Sequence, residues 1–237
     1  MIPAFVATIG VAALAAGWLL LRSLGPRYRV GRLLAVVPTM SVDEAVAHAR
    51  NGNAPYLRID GRIDAEDEFE DADHRPLVFR RTRVEVLRGA RWTRVEDGLE
   101  TIPFEVREGL SGIAIDASAL SDGLVVVRRE SRGHAADLPD RVPPDLSPDT
   151  PVRVTIEQLS SVDHVSALGV PALDEGGIPQ LGAGRGRPLI VTNLEPAEAM
   201  RILVGDRRHV PRAAAAALAG GAVLLVLAVA LGVSGVG

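Results

Sequence analysis

The sequence predicts an α+β protein: an antiparallel, β-rich, barrel-like domain with short helices, flanked by two transmembrane helices. Three observations predict it. Charge-free apolar stretches, Ala4–Leu21 and Ala213–Val233, bracket the chain. Between them, short segments of alternating apolar and polar residues recur, separated by Gly, Pro and Asp turns. These segments show no strand–helix–strand alternation, which removes a doubly wound parallel sheet. With 237 residues, 47% of them apolar, the chain can bury one ordinary core between its ends.

Each terminal stretch, 18 and 21 residues long, is close to the ~20 residues a helix needs to cross a bilayer. The first reads as a span and not as a cleaved signal, because only Met1–Pro3 precede it and none is basic. The chain divides into residues 1–24 (first span and flank), 25–53 (juxtamembrane segment with a short helix), 54–194 (β-rich domain), 195–212 (juxtamembrane helix) and 213–233 (second span). Arg22, Arg27, Arg29 and Arg32 follow the first span; Arg201, Arg207, Arg208 and Arg212 precede the second. By the positive-inside rule the chain is a two-pass cell-membrane protein with its central domain cytoplasmic and both termini outside. Trp18 and Tyr28 are expected as interfacial anchors. Small residues at four-residue spacing, Ala12 with Ala16, Ala13 with Gly17 and Ala217 with Gly221, are expected to let the spans approach closely.

After the first span, Ser41 and Glu44 form a capping box for a helix over Val42–Arg50 that stops at Gly52. Tyr56–Ile63 alternates as a half-buried strand, with Leu57, Ile59, Gly61 and Ile63 inward. Asp64–Asp73 places seven carboxylates in ten residues. It lacks the spacing of a calcium loop, so it reads as a solvated loop; Asp64, Asp67, Asp71 and Asp73 are weak candidates for a metal, and no metal or other cofactor is expected.

In the next stretch Val78, Thr82, Val84 and Val86 face one way and Arg81, Arg83 and Glu85 the other, and a bulge near Phe79–Arg81 reconciles Phe79 and Arg80 with that phase. Arg88–Ala90 turns the chain into a strand over Arg91–Val95. Ile102–Val106 and Ile113–Ile115 alternate, with turns at Gly109 and Gly112. Leu124–Val127 reads as a buried central strand, and Ser131–Pro151, with its prolines and aspartates, as a surface loop. Strands over Val152–Ile156, Val162–Gly169 and Pro188–Asn193, a hairpin around Asp174–Gly177, and a helix over Pro196–Val204 complete the domain.

Composition excludes several chemistries. There is no cysteine, so no thiolate nucleophile, disulfide or sulfur-ligated zinc exists. All 26 basic residues are arginine, which removes Schiff-base and P-loop lysines. Residues 41–195 carry 28 acidic residues against 18 arginines, net −10. Such a domain lacks the basic face that nucleic acid requires, so the expected partners are the lipid bilayer and another membrane or cytoplasmic protein. The five histidines show no metal-binding spacing, and Gly182–Arg187 precedes a strand where a dinucleotide loop would follow one. With no serine elbow or other catalytic constellation, the chain does not read as an enzyme. Arg80, Arg81, Arg83 and Glu85, with Glu105, are the candidates for binding a partner or an anionic ligand. The competing reading of the same row is cross-strand ion pairing with such acids as Glu105 and Glu108.

The segments around Gly61, Arg75–Val86 (RPLVFRRTRVEV), Ile102–Asp116 (IPFEVREGLSGIAID), Val154–Leu173 and Pro188–Asn193, with both flanking spans, resemble the GIDE domain. This domain, also called BAM for "beside a membrane", occurs in mitochondrial membrane-anchored E3 ubiquitin ligases and their bacterial and archaeal relatives, and the resemblance covers roughly residues 1–233. The resemblance implies a membrane-proximal docking domain. The family's ubiquitin-transfer RING needs zinc ligands that this cysteine-free sequence cannot supply. The expectation is therefore a binding or adaptor module related to the ligases without their transfer activity. The alternatives are an accessory acting with a separate RING or E2-like chain, or a small-ligand or metal sensor.

Overall fold

The computed structural model describes residues 2–52, 54–120, 123–205 and 209–233, in two compact units. Arg207 and Arg208 of the basic cluster lie outside the described residues, as do the side chains of Arg27 and Tyr28.

The first unit holds α1 (Ile2–Val36) and the C-terminal helix, His209–Val233. Both contain a segment long and apolar enough to cross a membrane, Ala4–Arg22 and Arg212–Ala230. α1 does not stop at the end of its span, where a separate segment was expected. It continues to Val36, and Val30 and Leu34, one turn apart, are buried. Gly10 lies against Gly221 and Leu225, and Gly17 against Ala214 and Leu218, so the two helices are antiparallel. The close approach therefore uses small residues two turns apart, not the expected four-residue pairs. Gly17 and Gly221 take part, whereas Ala12 and Ala16 are exposed.

The second unit spans Val36–Ala199. It begins with α2 (Val42–Asn51) and continues through β1 (Leu57–Asp64), β2 (Phe69–Glu70), β3 (Pro76–Arg88), β4 (Arg91–Thr101), β5 (Glu105–Glu108) and β6 (Ser111–Ile115). There follow β7 (Leu124–Val125), β8 (Arg129–His134), β9 (Pro151–Ser160), β10 (His164–Leu173), β11 (Pro179–Gly182) and β12 (Ile190–Thr192). α3 (Pro196–Gly205) leads on to the C-terminal helix, α4.

Five strands close into a barrel in the order β1–β5–β6–β11–β10 and back to β1. A closed ring with an odd number of strands cannot alternate direction throughout. One parallel pair is unavoidable, and it falls between β6 and β11, where Gln180 faces Ala114 and Leu181 faces Ile115. The expectation of a wholly antiparallel sheet is corrected on this ground. β12 extends the sheet from β10, and β7 adds parallel to β12. The run at Leu124 is thus buried as expected, but it forms the end of the sheet and not its centre.

Leu57, Ile59, Ile63, Val106, Ile113 and Leu181 fill the barrel. α2 touches all five barrel strands and buries Val42 and Ala45 among them, so it closes one mouth. Its boundaries come from local chemistry. Ser41 Oγ accepts from the Glu44 N–H at 3.3 Å while Glu44 Oε2 accepts from the Ser41 N–H at 3.0 Å, and Gly52 ends the helix at φ 71°. Glu108 fastens the helix start to the β5–β6 hairpin by accepting from the Val42 N–H at 2.9 Å. Gly61 is required where β1 meets β5, since a Cβ there would lie 2.5 Å from the Arg107 carbonyl oxygen.

The other sheet is a half-barrel of β2, β3, β9 and β8, with β4 pairing β3. Its bulge lies at Val78, slightly before the expected position, so Leu77, Val78 and Phe79 are buried in succession, and Val78 and Phe79 join the barrel core. A second bulge on β4 follows Val84 of β3. β4 runs to Thr101, well past the expected end at Val95, because Asp97 and Glu100 are ladder residues facing Arg83 and Arg80 of β3. Gly112, expected as a turn, sits in β6 against the Glu105 carboxylate. The expected surface loop from Ser131 starts as β8, and beyond it Ala135, Leu138, Val142 and Leu146 cover Val84, Val86 and Val152 as a second core.

Candidate functional site

β3 separates its side chains between two chemically different faces. Register places Arg81 opposite Glu157 and Arg83 between Thr155 and Asp97, so the first face alternates arginine with carboxylate across strands. Glu157 is only 4% exposed. It holds Arg83 Nη2 at 3.0 Å and Arg128 Nε at 2.6 Å. Asp97 takes a forked contact from Arg81, Nε and Nη2 both at 2.8 Å, and one from Arg94 at 2.9 Å. Arg83 Nε lies 3.8 Å from Asp97 and is buried without a hydrogen bond.

Among the described residues, four arginines thus converge on the carboxylates of Asp97 and Glu157. The titration directions agree with this. Burial lowers the Arg83 pKa, Glu157 opposes the shift, and Arg81 and Arg128 add to it. Asp97 is held below the usual carboxylate range by the Arg81 hydrogen bonds first, against its own partial burial, with help from the charges of Arg81, Arg94 and Arg83. Further along the face, Arg153 donates to Glu85 from Nε at 3.0 Å and Nη2 at 2.7 Å, and its guanidinium stacks 4.7 Å from the Trp92 ring.

The structure divides the five binding candidates three ways. Arg81, Arg83 and Glu85 share the face just described. Arg80 points to the opposite face, where it pairs with Glu100, stacks on Phe69 and helps line an open cleft of about 420 Å³ with Thr82, Glu96 and Arg141. Glu105 belongs to the barrel, on β5, where it pairs with Arg107. The cross-strand partners of the arginine row are therefore Asp97, Glu100 and Glu157, not Glu105 or Glu108.

The weak metal candidates are dispersed. Asp64 pairs with Arg107 at 3.0 Å and Asp73 with Arg129 at 3.3 Å, while Asp67 is exposed. Asp71 closes its own turn, accepting from the N–H groups of Asp73 and Arg75, which lower its pKa. Among the described residues no three His, Asp or Glu side chains converge as metal ligands. The stretch Gly182–Arg187 forms a tight turn, with Arg185 and Gly186 both at positive φ between reciprocal Gly184–Arg187 backbone bonds.

No family model, curated protein or solved structure matches this chain. The functional reading therefore rests on the residues and their geometry.

Sequence reasoning missed Asp97, Arg128, Arg153 and Glu157 as members of the face. The signal for Glu157 and Arg153 was present in the alternation of β9, whose Val152, Val154 and Ile156 face the other way. Asp97 was hidden because Glu96-Asp97-Gly98 has turn composition.

Proposed function

We propose that this chain is a two-pass membrane protein whose central α+β domain is a membrane-proximal binding or adaptor module, with the Arg81–Arg83–Asp97–Glu157 face as its recognition surface. The observation that carries the reading is the convergence of Arg81, Arg83, Arg94 and Arg128 on Asp97 and Glu157 among the described residues, in a domain whose two ends continue into helices long enough to span a bilayer. Arginine remains protonated and makes forked contacts, so this face suits binding of carboxylate or phosphate groups better than proton transfer. The resemblance to the GIDE or BAM domain supports the same reading. The basic residues described beside the spans, Arg22, Arg29 and Arg32 after the first and Arg201 and Arg212 before the second, favour a cytoplasmic domain.

The reading is tested by affinity capture of the full chain from solubilised membranes, comparing native protein with Arg81→Glu and Arg128→Glu variants. A specific partner should be recovered with the native chain and lost with both variants, each by about 2 kcal/mol or more of binding, the scale of an interface hot spot. Recovery of the same partner by correctly folded variants would remove this face from recognition, and repeated recovery of none would remove the adaptor role.

A further inference from the structure

The end of the half-barrel sheet carries charge that the fold itself does not explain. Arg88 and Arg91 face each other directly across the β3–β4 hairpin, and Arg132 faces Arg153 across β8 and β9. Like charges in directly opposed cross-strand positions destabilise a sheet. Arg88 and Arg91 are exposed and have no ion pair among the described residues. One row across the four strands reads Arg132, Arg153, Glu85 and Arg94, three cations with a single carboxylate. Counted over both faces of the sheet, with Glu130, which pairs with Arg132, and Asp97, which pairs with Arg94, this end bears five arginines and three carboxylates, net +2, while residues 41–195 as a whole carry −10. Trp92 sits beside it, half-buried, its ring under Arg153.

We propose that this hairpin end docks on the headgroups of anionic phospholipids. An arginine cluster with an amphipathic indole matches the interface of a charged leaflet, where basic side chains meet phosphate and tryptophan rests at headgroup level. A bilayer is favoured over a soluble acidic partner because both ends of the domain lead into membrane-spanning helices, which keep the lipid surface at high effective concentration. The Arg88–Arg91 pair, unfavourable in isolation, becomes favourable when each arginine has a phosphate.

The inference rests on the two-pass reading, and the chain's two tryptophans, Trp18 in the first span and Trp92 in the hairpin, allow the two to fail separately. The full chain is reconstituted at one copy per nanodisc in phosphatidylcholine with brominated acyl chains, with and without phosphatidylglycerol. In a Trp92→Phe background, quenching of Trp18 in both lipids reports insertion of the span. In a Trp18→Phe background, Trp92 should be quenched only in anionic discs and recover in about 1 M salt, where the Debye length is about 3 Å. Arg88→Gln and Arg91→Gln should each lower the docked-to-free ratio by about fivefold, the effect of one basic residue at an anionic surface. Their circular dichroism should match the native chain. The proposal is overturned if Trp92 emission is the same in neutral and anionic discs while Trp18 is quenched. It is equally overturned if shielding of Trp92 rises with the number of copies per disc, which would seat the hairpin on a second copy of the chain.

Discussion

Replacing Glu157 by glutamine probes the charged face at its most buried point. The carboxylate is 4% exposed and holds two guanidinium groups, at 2.6 and 3.0 Å. The two halves of the loss are unequal. The Arg128 side chain is 46% exposed and can turn to water, so its share is that of a surface pair, ~0–1 kcal/mol. The Arg83 side chain is only 16% exposed, and its next carboxylate, Asp97, stands 3.8 Å away and is already engaged by Arg81 and Arg94. Stripping the partner from a buried charge costs about 3–5 kcal/mol. The glutamine oxygen retains one acceptor, which brings the expected loss to about 2–4 kcal/mol. In a domain of this size that corresponds to a melting temperature lower by roughly 5–15 °C. Urea unfolding of the detergent-solubilised chain, followed by Trp92 fluorescence, measures it. A Glu157→Gln/Arg83→Gln double variant should be less destabilised than the two single losses added together, because the orphaned charge is then gone. A loss below about 0.5 kcal/mol, the range of an ordinary surface substitution, would refute the argument that Glu157 anchors this face.

Three further outcomes follow from the same geometry. Gly61→Ala should destabilise the barrel by about 1–3 kcal/mol in thermal melts, since the added methyl meets a backbone oxygen that cannot turn aside. Asp97 has a depressed pKa in the fold, so its stabilisation is present above the ordinary aspartate value of about 3.9 and is lost as pH falls through the lower folded value. Hydrogen exchange of β4 should accelerate in that acid window, and Asp97→Asn should abolish the pH dependence. Tyr56, pushed up to about 12 mainly by burial, donates to the Pro188 carbonyl at 2.8 Å. The unfolded chain releases this proton near pH 10, so stability should fall between about pH 10 and 12, a limb that Tyr56→Phe should flatten in denaturant titrations.

Much of the architecture was legible because local chemistry sets it. The capping box of α2, the inward residues of β1, the Arg88–Ala90 turn and the bulge in β3 can each be read within a few residues. Ring closure was not legible. The pairing of β6 with β11 joins residues far apart in sequence, and its parallel direction follows from the odd strand count, which no local pattern carries. The extension of β4 was missed for a related reason: Asp97 and Glu100 look like turn residues until Arg81 and Arg80 stand beside them. The candidate site was half legible. Alternation placed Arg81, Arg83 and Glu85 together, whereas Glu157 is brought beside them by the β3–β9 register and Arg128 by its contact with Glu157. Conversely, Arg80 is adjacent to Arg81 in sequence yet serves the opposite face, which is what strand geometry demands.

The most direct test of the account is the side of the membrane on which the central domain lies. With no native cysteine, Asp140→Cys gives a single exposed thiol in the loop after β8. An impermeant maleimide applied to intact cells should leave it unlabelled and should label it only after the membrane is opened, with the protein resisting carbonate extraction throughout. Full labelling in intact cells, or release by carbonate, would contradict a cytoplasmic domain held by two membrane spans.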